Sequence, residues 1–219
     1  MPVRKIKPGR FNTTSSFRNS KTDMEVQAES TLEADFLFSI DQDPTVEWYD
    51  AQPVKITYTI QGENRERTYT PDVLVRFKAE TGKKPALYEV KFRSDLTKSW
   101  PELKPKFKAA IAVCKAKGWK FKIVTENEIR TTALKNVEFL FHFSRTKSPV
   151  EAPMRSAIFK ALSSVDFSTP EELLSTLFNT PLKRAEAMPV LWRMIYDRSI
   201  EVNMDLRLNM KSEIRLRRI

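Results

Sequence analysis

The spacing of apolar residues near the start of the chain predicts one amphipathic helix, with its stripe at Leu32, Phe36, Leu37 and Ile40. Ser30 or Thr31 can cap the start of this helix, and Asp43-Pro44 ends it. The preceding residues, 1–23, are polar and basic with little periodicity. They are therefore predicted to form a loosely structured arm.

The pattern then changes to the alternation that is typical of strands. Apolar residues alternate with Lys and Thr over 54–60, and a turn at 61–64 predicts a hairpin. Its second strand is expected over about 67–77, where Pro71 indicates an irregularity or an edge position. A third strand is predicted over 86–92.

A helix over 101–117 follows, ended by Gly118, and a strand over 119–125 comes after it. This strand, helix, strand order is a crossover unit, which predicts that part of the sheet is parallel and that the fold class is α/β. The segment 137–143 fits a further strand or a buried helix, and its periodicity does not decide between them.

Residues 144–153 have the composition of a linker, and the chain beyond them is mainly helical. Thr169 and Pro170 mark one helix start, with an N-cap and a proline in the first turn. The pattern predicts three helices and then a β-hairpin, which is the outline of a winged helix. The predicted segments are helices at 154–163, from 170, and at 183–198, and strands at 200–208 and 212–216.

Composition narrows the classes of function. The chain has 219 residues and a formal net charge of +10, which indicates a polyanionic partner such as nucleic acid. A single cysteine, Cys114, excludes an internal disulfide and a Cys-rich zinc finger, and a single histidine, His142, excludes a protein-only site with two or three His ligands. No apolar run is long enough to cross a bilayer, and the N-terminus lacks the apolar stretch of a signal peptide. We therefore expect a cytoplasmic protein with no membrane partner.

The most informative pattern is Pro71-Asp72 followed by Glu89-Val90-Lys91. On adjacent strands, the carboxylates of Asp72 and Glu89 can converge, and the carbonyl of Val90 can add a third oxygen ligand for Mg²⁺ or Mn²⁺. Lys91 shares a face with Glu89, where an ammonium can orient the attacking water and stabilise charge on a phosphate. The segment 91–122 adds ten Lys or Arg against two acids, although such a surface can also be simply solvated.

This spacing is the PD-(D/E)xK signature of restriction-endonuclease-like nucleases, but the short motif is degenerate. An alternative is that Asp72 lies in a turn while Glu89 and Lys91 form a cross-strand ion-paired face. Longer matches make the nuclease interpretation more specific. They are, in chain order, Leu32–Leu37, Asp43-Pro44, Gln52-Pro53, Tyr69–Asp72, Glu89–Lys91 and Gly118–Glu126.

Together these segments resemble the TnsA family, the endonuclease subunit of heteromeric cut-and-paste transposases. The resemblance is good over 25–145 and looser beyond. It implies a restriction-endonuclease-like mixed sheet flanked by helices, with a C-terminal winged-helix-like domain. Together with the composition of the arm and of the linker, it gives a basic flexible arm at 1–23, an endonuclease domain at 24–146 and the second domain at 147–219.

The resemblance also implies roles for individual residues. Glu33 matches the helix carboxylate that completes the metal site, and Asp72 matches the central metal ligand. Glu89 falls where some members carry Gln, and Lys91 matches the catalytic lysine. Without the resemblance, Glu33 would be interpreted as an ordinary exposed acidic residue of the helix.

The implied activity is Mg²⁺-dependent hydrolysis at the 5′ ends of a DNA transposon, with Mn²⁺ as a possible substitute. The implied partners are double-stranded DNA at the transposon ends, a transposase subunit that cuts and joins the 3′ ends, and an ATP-dependent transposition regulator. The chain has no Walker motif, so ATP use would belong to a partner. Two alternatives remain: a stand-alone restriction or junction-resolving nuclease, and a non-catalytic DNA-bridging subunit.

Overall fold

The computed structural model describes residues 15–22, 25–60, 62, 65–144 and 151–217. Its contacts divide the chain into two units, and the division falls between Arg130 and Thr131. The helix after this point therefore groups with the C-terminal helices, ahead of the sequence-predicted boundary at 146/147. Of the predicted arm at 1–23, residues 1–14 and 23 lie outside the described residues, while Ser15–Arg18 forms a strand rather than loose chain.

The first unit combines strands with four α-helices in its described part. Its elements are β1 (Ser15–Arg18), β2 (Glu25–Ala28), α1 (Thr31–Gln42), β3 (Val46–Ala51), β4 (Ile56–Thr59), β5 (Glu66–Tyr69), β6 (Val73–Phe77), β7 (Ala86–Val90), α2 (Arg93–Lys98), α3 (Trp100–Lys117), β8 (Lys120–Val124) and α4 (Glu126–Ile129).

Four of these strands form a mixed sheet in the order β3-β6-β7-β8. The strands β3, β6 and β7 pair antiparallel, whereas β7 and β8 pair parallel. The helix α3 makes the crossover between the parallel pair, as the sequence predicted. Every residue of β7 is buried, which places Glu89 and Val90 in the interior of the sheet.

Local chemistry explains the bounds of the helices that carry or support the site. The Ser30 hydroxyl caps α1 by accepting a hydrogen bond from the backbone N–H of Glu33 at 3.1 Å. Gly118 ends α3 with a left-handed backbone (φ 70°), a conformation that favours glycine. Cys114 is buried on the apolar side of α3.

The prediction of a hairpin is confirmed by the antiparallel pair of β4 and β5. The prediction of one continuous strand over 67–77 was wrong, because this segment forms two strands. The β-structure is interrupted around Pro71. As a result, β5 pairs with β4 in a separate two-stranded sheet, and β6 joins the main sheet. Proline has no N–H to donate to a ladder, which is the physical reason for the break. The strand β3 was not predicted because its sequence, Val46–Ala51, does not alternate regularly.

The second unit contains four helices in its described residues: α5 (Thr132–Phe141), α6 (Glu151–Ser163), α7 (Pro170–Leu177) and α8 (Pro181–Tyr196). They enclose a core that includes Ile158, Leu174 and Leu191. An antiparallel hairpin follows, β9 (Ile200–Val202) with β10 (Ile214–Leu216). The ambiguous segment 137–143 is thus mainly helix, and residues 145–150 of the predicted linker lie outside the described residues.

In the part of the chain that the structure describes, none of the helices combines the length and apolar character that crossing a bilayer requires.

Candidate active site

Asp72 lies directly before β6, and main-chain hydrogen bonds hold it on both sides. Its carbonyl accepts from the N–H of Gln52 at 2.7 Å, and its own N–H donates to the carbonyl of Tyr88 at 3.2 Å. Its side-chain Oδ2 accepts from the N–H of Val90 at 2.7 Å. Asp72 is therefore anchored within the sheet, and its carboxylate is aimed at the end of β7.

Glu89 and Lys91 meet Asp72 at this end of β7. The Glu89 side chain is only 3% exposed, and its Oε2 accepts a hydrogen bond from the Tyr69 hydroxyl. The Lys91 Nζ lies 3.3 Å from Glu89 Oε1 and 3.7 Å from Asp72 Oδ2. It also donates to the carbonyl of Val90 at 3.2 Å. The ammonium thus sits where three oxygen groups converge.

Glu33 lies in the first turn of α1. Its Oε2 accepts from the N–H of Glu29 at 2.9 Å, and its Oε1 accepts from the Ser30 hydroxyl at 3.2 Å. Burial, and then the negative charge of Asp72, raise the pKa of Glu33 to about 7, while Lys91 opposes that rise. Glu33 therefore shares an electrostatic environment with the residues on the sheet.

The charges of Asp72, Glu89 and Lys91 at the end of β7 are strongly interdependent. Burial, and then the charge of Glu89, raise the pKa of Asp72 to about 7, and Lys91 opposes the increase. Burial also raises the pKa of Glu89, against the influence of Lys91 and Tyr69. Burial by itself would lower the pKa of Lys91, but the charges of Asp72 and Glu89 outweigh it and raise that pKa. Closely spaced carboxylates with raised pKa values favour a cation between them.

The donor set fits a hard divalent cation. Two carboxylates and one backbone carbonyl already surround a positive charge, and oxygen ligands of this kind suit Mg²⁺ and Mn²⁺. Within the described ranges, no three Asp, Glu, His or Cys side chains come together as a ready-made metal-binding group. The convergence therefore rests on Asp72, Glu89 and the carbonyl of Val90, with Glu33 coupled to them by charge.

Three further residues contact the site, and sequence reasoning gave them no role in it. Tyr69 and Gln52 stood only in the longer matching segments, and Glu29 had no role at all. The hydroxyl of Tyr69 holds Glu89, and the side chain of Gln52 donates to Glu29 Oε1 at 2.9 Å. These contacts join residues more than 19 positions apart, so no local pattern could reveal them.

Comparison with known families accounts for most of the chain. The TnsA-like endonuclease N-terminal model matches residues 43–126, which include Asp72, Glu89, Val90 and Lys91 but not Glu33. The TnsA endonuclease C-terminal model matches residues 128–204. A comparison with curated proteins finds no significant match. Two consecutive matches, meeting close to the boundary between the structural units, show that this chain belongs to the TnsA family of transposase endonucleases.

Proposed function

We propose that this chain is a metal-dependent DNA endonuclease subunit of a transposase, which hydrolyses the phosphodiester at the 5′ ends of a DNA transposon during excision. The observation that carries the proposal is the position of the Lys91 ammonium among Asp72, Glu89 and the carbonyl of Val90. These groups lie inside the segment matched by the endonuclease family.

Glu33, Asp72, Glu89 and the carbonyl of Val90 are the groups that would hold Mg²⁺, with Mn²⁺ as a substitute. When bound, the ion supplies a Lewis acid that activates water and neutralises phosphate charge. Hydrogen bonds within the protein orient the carboxylates: the Tyr69 hydroxyl donates to one oxygen of Glu89, and the Val90 N–H donates to one oxygen of Asp72. The Lys91 ammonium donates a hydrogen bond to a phosphate oxygen or to the attacking water.

Exposed basic residues supply the contacts for double-stranded DNA. Lys104, Lys108, Lys115 and Lys117 are exposed on α3, and the formal net charge of the chain is +10. Phosphate neutralisation by such residues gives binding that is independent of base sequence. We therefore propose that choice of the transposon ends comes mainly from the partner transposase and an ATP-dependent regulator.

We propose a division of labour along the chain that follows this chemistry. The restriction-endonuclease-like core, predicted at 24–146, ends near Arg130, because α5 groups with the C-terminal unit. The winged-helix-like domain, predicted at 147–219, lies within that second unit. The succession of α6, α7 and α8 followed by the β9–β10 hairpin supports the second part. The basic arm at 1–23 would add further phosphate contacts.

Strand cleavage of end-labelled transposon-end DNA in Mg²⁺ tests the proposal. The wild-type protein is assayed alone and with its partner transposase. The variant Asp72→Ala is assayed with the partner, and Glu80→Ala, which changes an exposed carboxylate, is the control. We expect 5′-end nicks only with the partner, lost in Asp72→Ala and kept in Glu80→Ala. Cleavage by the protein alone would favour a stand-alone nuclease. DNA binding without cleavage in any mixture would favour a non-catalytic bridging subunit.

A further inference from the structure

We infer that Gln52 is a positioning residue that holds Glu33 and Asp72 in a fixed relation to each other. The inference rests on the nuclease function proposed above, because it concerns the same site. It assigns Gln52 no contact with substrate. Its effect runs through hydrogen bonds to both halves of the site, one from the main chain and one from the side chain.

The first connection runs to the sheet. Gln52 directly follows β3, and its N–H donates to the carbonyl of Asp72 at 2.7 Å. This bond continues the β3–β6 ladder, in which Ala51 pairs with Val73. The main chain of Gln52 therefore sets the position from which the Asp72 carboxylate projects.

The second connection runs to α1. The Gln52 Nε2 donates to Glu29 Oε1 at 2.9 Å, and the Glu29 N–H donates to Glu33 Oε2 at 2.9 Å. Glu29 therefore accepts from Gln52 with its side chain and donates to Glu33 with its main chain. Gln52 and Glu29 together thereby connect the Glu33 carboxylate on α1 to the main chain of Asp72.

The conformation of Gln52 is costly, which argues against a passive role. Its φ is 53°, in the left-handed region, which is disfavoured for every residue that carries a side chain. The residue is only 9% exposed, and its Oε1 is buried with no hydrogen-bond partner among the described residues. A residue kept in this geometry is held there by its surroundings, and such positions concentrate at functional sites.

Four variants separate positioning from general stability. Gln52→Met keeps the length of the side chain and removes its hydrogen bond, whereas Glu29→Ala removes the acceptor. Glu29→Gln is the conservative variant, because its amide oxygen can still accept from Gln52. The same Gln→Met change at Gln27, an exposed position of β2, is the matched control.

The readouts are kcat and KM for cleavage with the partner transposase, Mn²⁺ binding to the DNA-free protein by electron paramagnetic resonance, and thermal unfolding. We expect Gln52→Met to lower kcat and Mn²⁺ affinity by about 10- to 100-fold each. The KM for DNA should stay unchanged, and Gln27→Met should match the wild type. Glu29→Gln should stay near the wild type, and Gln52→Met combined with Glu29→Ala should be no worse than the poorer single variant.

Two results would overturn the inference. One is a Gln52→Met protein with wild-type kcat and Mn²⁺ affinity. The other is a loss that follows thermal stability alone and adds fully to that of Glu29→Ala. Asp72→Ala in the same series distinguishes the two proposals. Cleavage by Asp72→Ala would refute the active site proposed above, whereas loss of cleavage in Asp72→Ala with wild-type behaviour of Gln52→Met would refute only the inference about Gln52.

Discussion

Lys91 donates a hydrogen bond at 3.2 Å to the carbonyl oxygen of Val90, its own neighbour in the chain. The same ammonium lies 3.3 Å from Glu89 Oε1. Lys91 therefore engages two of the oxygens that are proposed to hold the metal ion. In this arrangement Lys91 and a divalent cation compete for the same oxygen ligands. Removing the lysine is therefore predicted to have opposite effects on metal affinity and on cleavage.

Replacing Lys91 by Met should abolish cleavage and leave metal binding intact or tighter. The substitution removes a positive charge that competes for Asp72 and Glu89, so Mn²⁺ affinity at pH 8 should not fall. Cleavage should fall by about 100-fold or more, because a charge-stabilising donor is lost. Mn²⁺ titration and strand cleavage are measured on the same preparation. Loss of both together would show that Lys91 acts on the fold of the site.

The carboxylates make the metal-free protein less stable as the pH rises. Asp72 has a pKa of about 7 in the folded state, well above its ordinary value of 3.8, so the folded state retains this proton between about pH 4 and 7. The stability that the protonated carboxyl provides is present at low pH and is lost as the pH rises through 7. In the presence of a metal chelator, the urea concentration at the midpoint of unfolding should therefore be lower at pH 8 than at pH 5.5.

Asp72→Asn should flatten this dependence and raise the free energy of unfolding at pH 8 by on the order of 2 kcal/mol. The amide mimics the neutral carboxyl and cannot ionise. Glu80→Gln, an exposed carboxylate, serves as the control and should retain the wild-type slope. An Asp72→Asn protein that is less stable at pH 8, with an unchanged pH slope, would contradict the assignment.

Tyr69→Phe should impair the site without removing any charged group. Its hydroxyl donates to Glu89 Oε2 and lowers the Glu89 pKa, so its loss leaves a buried carboxylate oxygen unsatisfied. We expect cleavage to fall about 10-fold and the pH profile of kcat to move to higher pH. Tyr58→Phe on the paired strand β4 is the matched control. Equal effects of the two substitutions would assign the loss to packing.

In the second unit, Asn136 should be decisive for stability. Its Nδ2 donates to the carbonyls of Met204 and Leu206 at 2.9 and 2.7 Å, and its Oδ1 accepts from the Leu208 N–H at 3.1 Å. Asn136→Asp replaces the donor by an oxygen that faces two carbonyls, which should cost about 3 kcal/mol in urea unfolding.

The matched control for this change is Asn203→Asp. Asn203 is exposed, and its Oδ1 accepts from the Asp205 N–H, a role that a carboxylate retains. A change within about 0.5 kcal/mol is expected there. Similar losses at both positions would show that the side-chain bonds of Asn136 do not anchor the segment from Met204 to Leu208.

The sequence alone was sufficient where the signals were local. The cap of α1, predicted at Ser30 or Thr31 and found at Ser30, the end of α3 at Gly118 and the β4–β5 hairpin all depend on residues a few positions apart. The pairing of Pro71-Asp72 with Glu89-Val90-Lys91 was also readable, because side chains alternate along strands and neighbouring strands bring short segments together. The family assignment depended on that spacing together with the longer matches.

Only the tertiary structure decided how those groups are held. The interruption at Pro71 separates β5 from β6. Tyr69 therefore reaches Glu89 from the two-stranded sheet, while Asp72 lies directly before β6 of the main sheet. Gln52 reaches Asp72 and Glu29 because β3 pairs with β6, and no periodicity predicted that strand. Hydrogen bonds between residues 20 or more positions apart follow from strand register and packing. Sequence therefore specified the chemical groups of the candidate site, and long-range packing specified their partners.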